Sequence, residues 1–200
     1  AIDWLEGPAR DRARATADLY ARVLPGFLER FGAKLDAAAV RLIERLASVL
    51  ASELALDDAP QTIVHRDFRV DNLLFGEGAT APPVTVVDWQ TVGRGPAASD
   101  VAYFLGASLH SAERRAYERE LLALYLDELA RRGVRDLDRD RFFDQYRRHS
   151  ISGIVMAVVA SMIVEVTERG DAMFLAMARR HAAHAIDTDV ESLWKIEGRG

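Results

Sequence analysis

Apolar residues recur every three or four positions over most of this chain, the period of helices with one buried stripe, and collapse into short unbroken runs only between positions 62 and 88. Pro8 suits a first helical position, with Leu19 and Val23 on one side of a helix over 9–24 and a break expected at Pro25-Gly26. Asp36 is placed to cap the next helix, whose Val40, Ile43, Leu46, Leu50 and Leu54 form one stripe. Positions 56–60 read as a linker into Thr62-Ile63-Val64, a strand-like run matched by Leu73-Leu74-Phe75 and Val84-Thr85-Val86-Val87.

Beyond Asp88 the helical period returns. Ser99-Asp100 opens a helix through Leu109, Ser111 caps a long one to about Arg132, and Asp138 caps another through Arg148. In the long helix, Leu121, Leu122, Tyr125 and Leu129 make a core face and the arginines between them a solvated one. Helices near 151–168 and 171–186 follow. The longest apolar run, 151–164, falls short of the roughly twenty residues a bilayer demands, so it reads as a core helix. The pattern predicts an α+β fold, mainly α: a helical bundle around a small β-hairpin region at 62–88, in one unit over 1–195 without internal repeats.

Composition narrows the function more than the fold. With 200 residues, half of them hydrophobic and 28% charged, the chain has ample material for a buried core. A net charge of −5 argues against a nucleic-acid partner and is neutral toward cationic substrates. The absence of cysteine excludes a disulfide scaffold and thiolate metal sites; cytoplasm is the default compartment and no membrane partner is expected. Ala1-Ile2-Asp3-Trp4 has no initiator Met, basic segment or apolar segment of a signal peptide, and the chain reads as a fragment. Ile196-Glu197-Gly198-Arg199 matches an engineered protease-cleavage sequence, so the tail at 196–200 is set aside.

The chemistry concentrates between Thr62 and Asp100. His65-Arg66-Asp67 is followed after four residues by Asn72, the H-R-D-x-x-x-x-N spacing of a kinase catalytic loop, and a second carboxylate stands at Asp88. Phosphoryl transfer needs an oriented hydroxyl and charge neutralisation, so Asp67 is the candidate base. Asn72 and Asp88 offer the hard oxygen ligands that suit Mg²⁺ held jointly with ATP phosphates. Turn formation alone would not require His65, Arg66, Asp67, Arg69, Asp71 and Asn72 in one loop. Independent support comes from Asp88-Trp89, Gly93, Gly95-Pro96 and Asp100 at the start of a helix.

On these residues the stretch resembles the aminoglycoside phosphotransferase and choline kinase superfamily, nearest to its ecdysteroid-kinase-like branch. The resemblance implies a protein-kinase-like fold of two lobes, of which this chain would be the C-terminal one. It also implies Asp67 as base, Asn72 and Asp88 as magnesium and nucleotide ligands, and Asp100 as a brace for the loop, with His65 and Arg66 in support. Many relatives have Gly where Arg66 stands. Only eleven residues separate Asp88 from Asp100, too few for a phosphorylatable activation loop, so a small-molecule hydroxyl is the expected acceptor. Relatives phosphorylate aminoglycosides, choline, steroids and sugars.

A Gly-rich flap and a strand lysine are missing. The two lysines, Lys34 and Lys195, lie between helices and in the tail. Two readings follow: the C-terminal lobe of an ATP-dependent small-molecule kinase, inert by itself and prone to self-association through surface the other lobe would cover, or a binding or regulatory protein that kept the helical lobe. His181, His184 and Asp187 share a helix face, read either as a metal site or as a surface helix end. Glu165, Glu168 and Asp171 read as a cation-facing group or a solvated helix end.

Overall fold

A computed structural model of the chain describes residues 4–7, 9–55, 59–77 and 82–194. Pro8, most of the 56–60 linker, Lys195 and the 196–200 tail lie outside the described residues. The elements in order are α1 (Arg10–Phe31), α2 (Ala37–Leu54), β1 (Gln61–Val64), β2 (Leu73–Phe75), β3 (Val84–Val86), β4 (Gly93–Pro96), α3 (Ala97–Ser108), α4 (Ser111–Arg131), α5 (Arg139–His149), α6 (Ser152–Ile163) and α7 (Glu168–Asp187). The result is an α+β fold dominated by helices.

The expected break at Pro25-Gly26 does not occur, and α1 runs straight through it. Pro25 sits on the exposed side, where losing one backbone bond is tolerated because Tyr20, Leu24, Phe27 and Phe31 carry the buried stripe past it. Gly26 marks a close approach rather than a turn: a Cβ there would lie 2.8 Å from the Met162 methyl on α6. Asp36 accepts the Ala39 amide at 2.7 Å and Asp138 the Arg141 amide at 3.1 Å, capping α2 and α5. α4 is capped one residue earlier than expected, by His110, whose amide donates to Glu113 at 3.2 Å. α3 begins at Ala97, two residues before Ser99. Thr167 caps α7, which therefore starts at Glu168 rather than 171.

Two apolar clusters hold the helices. α1, α2, α6 and α7 share the larger one, including Ile43, Leu46, Ile154, Ala157, Ala178 and Ala182. α3, α4 and α5 share the smaller, around Leu105, Leu122, Leu126, Phe142 and Tyr146. The 151–164 run is thus α6, buried on its Ile154, Ala157 and Val158 side, and no described helix is long and apolar enough to cross a membrane. One arginine on α4 departs from the solvated face: Arg114 is 1% exposed and pairs with Glu118 at 2.8 Å and with Asp187.

The strands form two separate antiparallel pairs instead of one hairpin region. β2 and β3 make the hairpin, with Leu73 opposite Val86 and Phe75 opposite Val84. β1 pairs instead with β4, Val64 opposite Gly93 and Gln61 opposite Pro96. Gly-Arg-Gly-Pro has little strand propensity, so β4 carries no sequence signal of its own. Its glycines serve proximity: a Cβ on Gly93 would overlap the Arg66 guanidinium, and one on Gly95 would lie 3.0 Å from Val64.

Candidate active site

The loop from His65 to Asn72 connects the two strand pairs and lies along α3. Asp100, in the first turn of α3, accepts the His65 amide at 2.6 Å and the Arg66 amide at 2.9 Å. Further along the same helix the Ser108 hydroxyl accepts the Val70 amide at 3.0 Å. Arg66 itself holds φ 67°, a conformation that favours glycine. The two-point grip of Asp100 keeps it there, and its guanidinium lies over Gly93, donating to the Glu6 carbonyl at 2.7 Å and the Arg94 carbonyl at 3.2 Å.

His65 is buried between Trp89 and Phe68, ring centroids 4.7 and 6.0 Å away. Its Nε2 donates to the Val87 carbonyl at 2.8 Å, which leaves Nδ1 to accept the Asp67 amide at 3.3 Å. The Thr91 hydroxyl donates to the His65 carbonyl at 2.7 Å. One imidazole thereby ties the segment that carries Asp67 to the segment that carries Asp88.

Asp67 and Asn72 are in direct contact: the Asn72 amide donates to the Asp67 carbonyl at 2.8 Å and to its carboxylate at 3.0 Å. With its NH₂ committed, Asn72 has its amide oxygen left for another partner. Asp88 follows Val87, whose amide donates to the Asn72 carbonyl at 3.0 Å. Its own backbone is left-handed, φ 63° and ψ 55°, and its exposed carboxylate bonds no group among the described residues. Arg69 lies 3.2 Å from the Asp67 carboxylate and 3.1 Å from that of Asp71. The Tyr103 hydroxyl of α3 lies beside Asp67 as well. Sequence reasoning assigned neither a role, although Arg69 stands out in the loop. Arg69 was visible two positions after Asp67, whereas Tyr103 is signalled only by standing three residues after Asp100 on a helix.

Beside this loop, Ile63, Phe68, Trp89, Phe104, Leu121 and Tyr125 wall a mainly apolar cleft of about 350 Å³. Leu74 and Phe75 on β2, which point to opposite sides of the ribbon, Val84 opposite Phe75 on β3, and Ile63 on β1 are exposed apolar side chains.

The His181, His184 and Asp187 group is neither of the two things expected of it. Both histidines are fully buried, not at a surface helix end, and no cluster of three or more potential ligands among the described residues could hold a metal by itself. His184 meets Glu118 at 3.3 Å and Asp187 pairs with Arg114 and Arg115. His181 occupies a slot between Gly106 and Gly153 and contacts the Ser150 carbonyl at 3.2 Å. Asp171 pairs with Arg30 across α1 and α7, while Glu165 and Glu168 are exposed.

A carboxylate hydrogen-bonded to an asparagine on a helix-clamped H-R-D loop, with a second carboxylate tied in through the backbone, is the equipment of a kinase-type phosphotransferase. The chain belongs to the phosphotransferase enzyme family (APH), whose family model matches residues 3–143. A stretch of 86 residues is 34% identical to acyl-CoA dehydrogenase family member 11 of Gallus gallus; it takes in 40% of this chain and 11% of that protein, so the chain spans a small part of its relative. No solved structure matches the chain.

Proposed function

We propose that this chain is the catalytic lobe of an ATP-dependent kinase that phosphorylates a small-molecule hydroxyl. The carrying observation is the Asp67–Asn72 hydrogen bond with Asp88 tied to Asn72 through Val87. Asp67 accepts the proton of the acceptor hydroxyl; the oxygen forms its bond to the γ-phosphorus as the bond to the bridging oxygen breaks, and ADP leaves. Arg69, beside the base, places a fixed positive charge near the developing negative one.

The donor set fits Mg²⁺. The free carboxylate of Asp88 and the amide oxygen of Asn72 are hard ligands, and with no self-sufficient metal cluster among the described residues the ion would take its remaining ligands from nucleotide phosphates and water. When bound, it neutralises phosphate charge. Adenine binding and the phosphate-aligning lysine are assigned to a second lobe, and the exposed cross-strand pair Phe75 and Val84 is the surface we assign to it. The 200-residue chain alone is then expected to bind Mg-ATP weakly and to turn none over.

Calorimetric titration with Mg-ATP tests this division, since low-micromolar affinity in the chain alone would refute it. In the natural protein, Asp67→Ala should lower turnover about 10²- to 10⁴-fold with nucleotide binding largely kept, as is typical of a positioned base. Asp88→Ala should instead raise the Mg²⁺ concentration needed. Full activity in Asp67→Ala would remove Asp67 as the base, whereas a natural protein without any phosphotransferase activity would leave the non-catalytic, ligand-binding reading in its place.

A further inference from the structure

The Tyr103 hydroxyl is a buried polar group without a use. Tyr103 is 3% exposed, and its oxygen makes no well-aligned hydrogen bond among the described residues although the Asp67 carboxylate is within reach of it. An unmade bond at such a group is costly, and a phenylalanine would fill the same space without that cost.

The surroundings of the ring restrict where the hydroxyl can go. Its ring packs against His181 at 5.3 Å, and His181 is wedged between Gly106 and Gly153, so the Tyr103 ring rests on a fixed neighbour. On α3, Tyr103 stands one turn after Asp100, which grips the His65 and Arg66 amides, and ahead of Ser108, which takes the Val70 amide. Between those two fixed points on the loop lies Asp67, and its carboxylate is the group beside the Tyr103 hydroxyl. The same carboxylate already meets Asn72 and Arg69, while the His65 ring holds its amide.

We propose that Tyr103 is a positioning residue for the Asp67 carboxylate: its hydroxyl donates to one carboxylate oxygen and fixes the plane in which the other faces the acceptor hydroxyl. α3 then grips the catalytic loop at three points, two through backbone amides and one through the base itself. A rotation of the Asp67 carboxylate closes the bond, and the orphaned hydroxyl gains a charge-assisted partner. This rests on the assignment of Asp67 as the base, although the contact itself can be measured without any catalysis.

The test uses the chain labelled with ¹³C at aspartate carboxyl carbons, with the Asp67 signal identified through Asp67→Asn. At pH 7, Tyr103→Phe should displace the Asp67 carboxyl resonance while the other aspartates stay in place; Tyr117→Phe, altering an exposed tyrosine on α4, should displace nothing. In the natural protein, Tyr103→Phe should lower kcat about tenfold with KM for ATP little changed, a part of what a positioned base supplies. An Asp67 resonance identical in wild type and Tyr103→Phe would overturn the proposal, as would a general shift of all aspartates. A displaced resonance combined with full activity in Asp67→Ala would leave the contact standing and remove Asp67 as the base.

Discussion

Asp100 does the most for the site among single residues while never facing a substrate. Burial pushes its carboxyl above the usual aspartate range, and the His65 and Arg66 amides and charges pull only partly against that. Since the folded form has the raised value, ionising Asp100 costs the fold stability. Its contribution is full below the ordinary 3.8 and declines as pH rises through the raised value. The two amide bonds remain worth having. Asp100→Ala leaves both donors unpaired and should cost about 2–4 kcal/mol in urea unfolding, with Asp100→Asn, which keeps one acceptor, losing less. At this scale the sequence was readable for polar side chains in fixed spacing and silent wherever a role depends on a three-dimensional neighbour. Asp67 and Asn72 could be paired from their separation. Tyr103 and the left-handed turn at Arg66 could not, because each is set by what α3 and β4 place against it.

Among the elements, α1 and α4 show what local rules miss. Pro25-Gly26 has the signature of a turn, yet the burial of Phe27 and Phe31 outweighs one missing backbone bond. Pro25→Ala should therefore restore the bond to the Ala21 carbonyl and raise stability by about 1–2 kcal/mol, the helix gain less the entropy proline removes from the unfolded chain. Thermal melts at neutral pH measure it. On α4, an arginine in a polar run looks solvated by default, and only the arrival of α7 with Asp187 encloses Arg114. The β1–β4 pair was hidden for a like reason, since Gly93 and Gly95 are chosen for closeness and not for strand propensity. Helices with a continuous stripe and a capping aspartate, α2 and α5, were legible nearly to their ends.

For the whole molecule, desolvated histidines predict an acid-labile fold. Loss of hydration holds the half-buried His149 down to about 4 and the fully buried His181 to about 3. Burial also pushes Glu118 up, but bonds from His184 and Tyr146 and the charge of Arg114 outweigh it and hold the carboxyl at about 2. All three folded values lie below the unfolded ones, so the stability they supply is full above pH 6.5 for the histidines and above 4.5 for Glu118. It drains away as pH falls through 6.5 toward 3, with Glu118 adding its loss below 4.5. Urea midpoints should fall steadily below pH 6.5; a flat profile down to pH 4 would contradict the burial of these rings. The exposed pair Phe75, at 64%, and Val84 opposite it has a second expected outcome. The isolated chain should self-associate at high concentration, and Phe75→Glu should return it to monomer in sedimentation.

Asn72 and Asp88 sit at the open end of the β2–β3 ribbon, where Leu73 faces Val86 and the Val87 amide reaches the Asn72 carbonyl. A ladder of this kind works as a ruler: the spacing between the two oxygen donors is counted off in paired residues from the near end, not measured around the far one. The connection between Gly76 and Pro83 is therefore the place to test this, and three or four Gly-Ser residues added there should leave the Mg²⁺ requirement proposed for the full kinase untouched. A single residue inserted within 84–87 would instead turn every side chain beyond it to the opposite face of the ribbon and carry Asp88 away from its partner.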